Sequence, residues 1–259
     1  MEMPCLGGLI DNLSLLPVKE DLWTRGWAEV MSGKSGVELG AFYEQPALDG
    51  TPAFTQAYGS KSYASCQDCV PLWAKLNQMG QRIGFLNIPT TFPAPAVDGF
   101  LIAGAGGGFS PASRIPSQAC HPEEERQLLL DTRFDWELRF TVSGIRNVDV
   151  FFERCLQAIQ TRTRVFIDLC KKHRVDVGFL VQKEIVILEN LFMSWIDRIL
   201  KHPDEYPHPI QRRLKEFFRA VDDFAQQAID ELAPDHVMVV SDHSARVYEH
   251  SFNLNIFLQ

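Results

Sequence analysis

The chain has 259 residues, 46% of them hydrophobic and 22% charged, which is enough for one sizeable buried core. Its formal net charge of -8 excludes a general affinity for nucleic acid backbones or anionic membranes, which clustered Lys and Arg would provide. No stretch approaches the roughly 20 apolar residues that span a bilayer, and the N-terminal MEMPCLGGLIDNLSLLPVKE lacks a basic segment leading into an apolar one, so a cytoplasmic protein without a membrane span is expected.

In chain order, the segment from Pro17 to Ser32 spaces Leu22, Trp23, Trp27, Val30 and Met31 as a helix and then meets Gly33, a natural stop. Residues 33 to 69, rich in glycine and proline, read as an irregular excursion. Cys66 and Cys69 form a C-x-x-C there, but zinc needs a second ligand pair at comparable spacing and none follows, so they read as thiols in a loop before a helix. The six cysteines are scattered, with Cys155 and Cys170 on apolar helical faces, and do not form a disulfide framework.

Pro71 suits a first helical turn, Leu72, Leu76 and Met79 make an apolar stripe, and Gly80 closes that helix before the strand-like IGFLNIP at 83 to 89. A second extended stretch, GFLIAG at 99 to 104, runs into GAGGGFSP, which lacks the Lys and Ser or Thr of a phosphate loop and reads as a turn. DWELRFTV at 135 to 142 alternates like a strand with one wet face. A long amphipathic helix from Val148 to about Lys172 precedes the apolar VDVGFLV at 175 to 181; two more helices are expected over about 184 to 201 and 208 to 232, and HVMVVS at 236 to 241 reads as a buried strand.

The order strand, helix, strand, helix predicts an α/β fold with a mostly parallel central sheet and helices on both faces, in a single domain over 1–259. Ligands in such sheets collect beyond the carboxyl ends of the strands, and the last expected strand delivers Asp242 and His243 there. Carboxylate and imidazole together suit a divalent metal, zinc or manganese; the plain alternative is a capping Asp beside a surface His.

Ser241, Asp242, His243 and Ser244, followed by Asn253 and the segment to Leu258, resemble the S-D-H-G and N-x-x-L signature of the type I phosphodiesterase and nucleotide pyrophosphatase family of the alkaline phosphatase superfamily. Residues Trp23 to Gly40 are similar to that family's helix after its nucleophile. Arg82, Gly84, Asn87, Pro89, Thr91, Pro93, Gly99, Ile102 and Gly104 match a further motif in the same order, and His202, Pro203, Tyr206 and Asp222 resemble the stretch before the last metal-binding strand.

The resemblance implies an alkaline phosphatase-like scaffold and a metal-dependent hydrolase of phosphate mono- or diesters, acting on a small-molecule substrate and open to homo-oligomerisation. Against the family pattern, the first strand and the C-terminal part are missing from this sequence. Alignment on Ser32 and Gly33 puts Trp23 at the nucleophile position and leaves Thr24, one place later, as the candidate nucleophile, which also reads as an exposed helical Thr that needs no function. Where the family places a second metal pair, QKEIVILENLF offers Glu184 with Leu188, so Glu184 stands as a lone candidate ligand that a helix's first turn also explains. His250 is too close to the S-D-H turn to be assumed the family's last ligand, and the paired Asp222 and Asp223 read as a solvent face or a structural contact beneath the site. The alternative function is a non-catalytic relative that keeps the scaffold as a binding or assembly surface.

Overall fold

The structure, a computed structural model, describes residues 3–12, 26–41, 59–66, 68–104, 115–136, 147–202, 209–242, 245 and 247. The expected strand at 135 to 142 and most of the GAGGGFSP turn fall largely outside them.

Among the described residues four strands form one mixed sheet: β1 (Ile83–Ile88), β2 (Gly99–Ala103), β3 (Cys120–His121) and β4 (Val177–Leu180), in the order β3-β2-β1-β4. β1 runs parallel to both β2 and β4, and the two-residue β3 is antiparallel to β2. The α/β class therefore holds, with parallel pairing at the centre.

β1 is buried along its whole length, as expected for a parallel strand covered on both faces. Leu86 pairs with Ile102 while Ile88 pairs with Ala103, so Asn87 is the extra residue of a bulge and takes a positive φ of 65°. Gly99 opens β2 at φ 110°, where a Cβ would lie 2.0 Å from the carbonyl oxygen of Ile83, so no other residue fits.

One face of the sheet is covered by α5 (Glu125–Asp131) and α6 (Val148–His173), with Leu86, Phe100 and Ile102 packed against Leu129, Val165, Phe166 and Leu169. The other face carries α2 (Gly26–Ser32), α3 (Gly36–Leu39), a 3-10 helix over Ser60–Ser65 and α4 (Leu72–Gln78), with Ile83, Phe85, Ile88 and Leu101 against Ala28, Met31, Leu39, Tyr63 and Trp73. Layers on both faces follow from strands that alternate apolar side chains to either side.

α6 outlasts the sheet. Its first half leaves the strands and builds a separate helical core with α7 (Glu184–Lys201) and α8 (Pro209–Leu232). Phe151, Phe152, Cys155 and Ile159 meet Leu188, Phe192 and Ile196, and Leu214, Phe217, Phe218 and Val221 of α8 recur at the i, i+3, i+4, i+7 spacing of one helical stripe. Asn147 starts α6 by accepting hydrogen bonds from the backbone N–H groups of Asp149 (2.9 Å) and Val150 (3.3 Å).

α1 (Pro4–Asn12) lies on α8 and is tied there by Asp222, whose carboxylate accepts from the N–H groups of Cys5 (2.9 Å) and Leu6 (2.7 Å). Asp222 is thus a buried helix anchor and not part of a solvent face. No described helix is long and apolar enough to cross a membrane.

HVMVVS departs from expectation. Residues 236–241 join no strand ladder, and Met238, Val239 and Val240 are 83%, 56% and 37% exposed. An apolar, β-branched run favours strand, but a strand exists only where a neighbour takes its backbone hydrogen bonds. Among the described residues β4 pairs with β1 alone, and this segment does not extend the ladder.

Candidate functional site

The carboxyl ends of β1, β2 and β4 gather a set of buried polar groups. Beyond the bulge, Thr91 Oγ1 donates to the carbonyl of Ile88 (2.6 Å) and accepts from Gly104 N–H (3.2 Å), binding the ends of β1 and β2 together. A Cβ on Gly104 would come within 2.5 Å of the Asn87 and Ile88 backbone, so the close approach depends on glycine. Tyr63 reaches in from the 3-10 helix, its hydroxyl 2.6 Å from Thr90 Oγ1, and Trp136 donates its indole N–H to the Ala103 carbonyl at 2.6 Å.

Asn87 spans the other side of β1. Its Nδ2 donates to the Val181 carbonyl just past β4 (2.9 Å), while its buried Oδ1 has no hydrogen-bond partner among the described residues. Beyond Val181, Gln182 Nε2 donates to Thr163 Oγ1 (3.1 Å) and Gln182 Oε1 accepts from Arg162 Nη1 (3.3 Å). The same Arg162 Nη1 donates to Glu184 Oε2 in an ion pair, Nη2 donates to the Asp135 carbonyl (3.1 Å), and the guanidinium lies 5.6 Å from the Phe134 ring centroid.

This places one predicted residue. Glu184 is completely buried and bound to Arg162, so its carboxylate charge is already compensated and one face of it is occupied. The first-turn dipole reading of an exposed Glu184 is replaced by this contact.

Asp242 is half-buried and is brought to the start of α2. A Cβ on Gly26 would lie 2.9 Å from both the Cβ and the carbonyl oxygen of Asp242, so the turn and the helix meet at a glycine. The next residue, Trp27, packs edge-on against Phe179 of β4 at 6.2 Å between ring centroids, which sets this meeting point beside the parallel sheet. Thr24, two residues before Gly26, and His243, adjacent to Asp242, lie outside the described residues, as does His250.

Among the described residues no three His, Cys, Asp or Glu side chains are placed to hold a metal ion. Asp242 contributes one carboxylate, and Glu184 is held by Arg162, so the described donors by themselves do not complete a divalent-metal site.

Among the residues that the sequence left unnoticed are Arg162, Thr163 and Gln182. Arg162 and Thr163 sit within an amphipathic helix and Gln182 in the turn after β4, where polar residues read as surface, and only their approach makes them a network. No family model matches this chain, and comparisons with curated proteins and with solved structures find no match.

Proposed function

We propose that this protein is a phosphate-ester hydrolase of the phosphodiesterase and nucleotide pyrophosphatase type, on an alkaline phosphatase-like scaffold. The supporting observation is the contact of Asp242 with Gly26. The S-D-H turn and the helix that follows the candidate nucleophile are more than two hundred residues apart in the chain, yet their backbones touch. A hydrolase of this type requires that meeting, because the nucleophile and the ion that balances the phosphoryl charge act on the same phosphorus. On this reading Asp242 and His243 are ligands of a zinc or manganese ion, Thr24 is the nucleophile, and the substrate is a small phosphate ester.

The Arg162–Glu184 pair favours a second reading, a non-catalytic relative that uses the scaffold for binding or assembly. A carboxylate neutralised by a buried guanidinium has lost the spare charge that a second cation would need.

Metal analysis of the purified chain, with hydrolysis of bis-p-nitrophenyl phosphate by the wild type and Asp242→Ala, tests the two. Bound metal and turnover, both lost in Asp242→Ala, support the hydrolase. Absence of metal, with no turnover above buffer in either protein, overturns it and leaves the scaffold reading.

A further inference from the structure

Cys66 and Cys69 sit at the two ends of a tight turn between the 3-10 helix and α4. The Cys69 N–H hydrogen-bonds back to the Cys66 carbonyl at 3.4 Å, and Asp68, in the third position of the turn, has a φ of 59°. The first and last Cα atoms of such a turn lie within about 7 Å, and a disulfide spans Cα separations of roughly 4.4–6.8 Å.

Both residues are present as thiols and both are partly solvent-exposed, whereas Cys120, Cys155 and Cys170 are buried. The Cys66 Sγ lies 3.7 Å from the Glu38 carbonyl at the end of α3, so the turn rests on a neighbouring element instead of standing clear of the protein. The turn geometry and the accessibility are those of a vicinal dithiol placed to bridge.

We infer that Cys66 and Cys69 form a reversible intramolecular disulfide by exchange with a low-molecular-weight disulfide such as oxidised glutathione. With Cys66 as the attacking thiolate, its sulfur bonds to one glutathione sulfur, the glutathione S–S bond breaks, and one glutathione thiolate leaves. The Cys69 thiolate then attacks Cys66 Sγ, forming the Cys66–Cys69 bond and expelling the second glutathione. In sum the protein loses two protons and two electrons, and one oxidised glutathione becomes two reduced molecules.

The bridge would close the turn that joins two elements of the same apolar layer. Tyr63, three residues before Cys66, stacks edge-on with Trp73 of α4 at 5.1 Å and reaches Thr90 at the sheet edge. Oxidation state is in this way connected to the end of β1. The inference is independent of the hydrolase reading.

The test uses the folded full chain, equilibrated with oxidised glutathione at pH 8, then alkylated in denaturant, digested with trypsin and analysed by mass spectrometry. Cleavage after Lys61 and Lys75 puts both thiols in one peptide, residues 62–75. The expected result is loss of two hydrogens and of both alkylation sites in that peptide, reversed by dithiothreitol, while Cys66→Ser and Cys69→Ser each retain a glutathione adduct on the remaining thiol. Full alkylation of both residues in the wild type, persistent wild-type glutathione adducts without the internal bond, or a bond to another cysteine would each overturn the inference.

Discussion

The Arg162 guanidinium, midway along α6, donates to the Glu184 carboxylate that opens α7, and both side chains are 1% exposed. Arg162 also reaches Gln182 and the Asp135 carbonyl, so one side chain joins α6 to the β4–α7 turn and to the segment before it. Removing one member of such a pair strands the other charge in a dry site. Arg162→Met should therefore cost about 3–5 kcal/mol, whereas the double variant Arg162→Met with Glu184→Leu should recover most of that loss. Urea midpoints arranged as a double-mutant cycle measure both. A single-variant cost of under about 1 kcal/mol would place the pair in solvent, contrary to its burial.

Glycines in this fold are unequal. At Gly99 a Cβ would meet the Ile83 backbone, so Gly99→Ala should lose about 3 kcal/mol or more, the upper end of overpacking costs, because β1 and β2 must separate to admit it. Gly80 also has a positive φ, 78°, but nothing lies within 4 Å of its Cβ direction. Gly80→Ala should cost only the left-handed penalty, roughly 1–2 kcal/mol. Chemical denaturation of the two variants under one set of conditions separates crowding from backbone strain.

Asp222 provides a local prediction. Asp222→Ala removes the acceptors for the first N–H groups of α1, at an expected cost of about 1 kcal/mol. The loss should be concentrated at the N-terminus, with faster hydrogen exchange at the Cys5 and Leu6 amides and little change in the α8 amides around Leu214. Uniform acceleration across α8 would show that Asp222 supports the helical core itself.

Burial pushes the thiols of Cys120, Cys155 and Cys170 up to about 12 from an ordinary 9.0. The folded state therefore holds protons that the unfolded chain releases. The stabilisation is fully present below pH 9.0 and is lost as pH rises toward about 12. Urea midpoints should fall as pH rises above 9.0, and Cys170→Ala should show a shallower fall than the wild type. In the native state these three thiols should label with a maleimide far more slowly than Cys66.

Much of the architecture was legible in side-chain periodicity. The helices at Val148–His173, Glu184–Lys201 and Pro209–Leu232 lie within a residue or so of the expected ranges. Long apolar stripes and capping residues such as Asn147 act within a few turns of chain, so neighbouring residues carry the whole signal. β1 and β2 were legible for the same reason, being short apolar runs bounded by Gly80, Pro89, Gly99 and Gly104.

The candidate site was less legible. Glu184 in isolation is a carboxylate in a first helical turn, and Asp222 is one of two adjacent acidic residues on a longer helix. Their roles come from Arg162, 22 residues away, and from the α1 amides, 217 and 216 residues away. Nothing in the local pattern specifies such partners.

SDHS shows both limits. The order Ser241, Asp242, His243 at the end of an apolar run is a property of the sequence, and it raised the expectation of a metal-ligand turn at a strand end. The tertiary structure decided that residues 236–241 are not a strand and that Asp242 rests on Gly26 beside β4. Apolarity and β-branching determine only that a segment can extend; pairing with a neighbouring backbone determines whether it becomes sheet, and that neighbour is supplied by the fold.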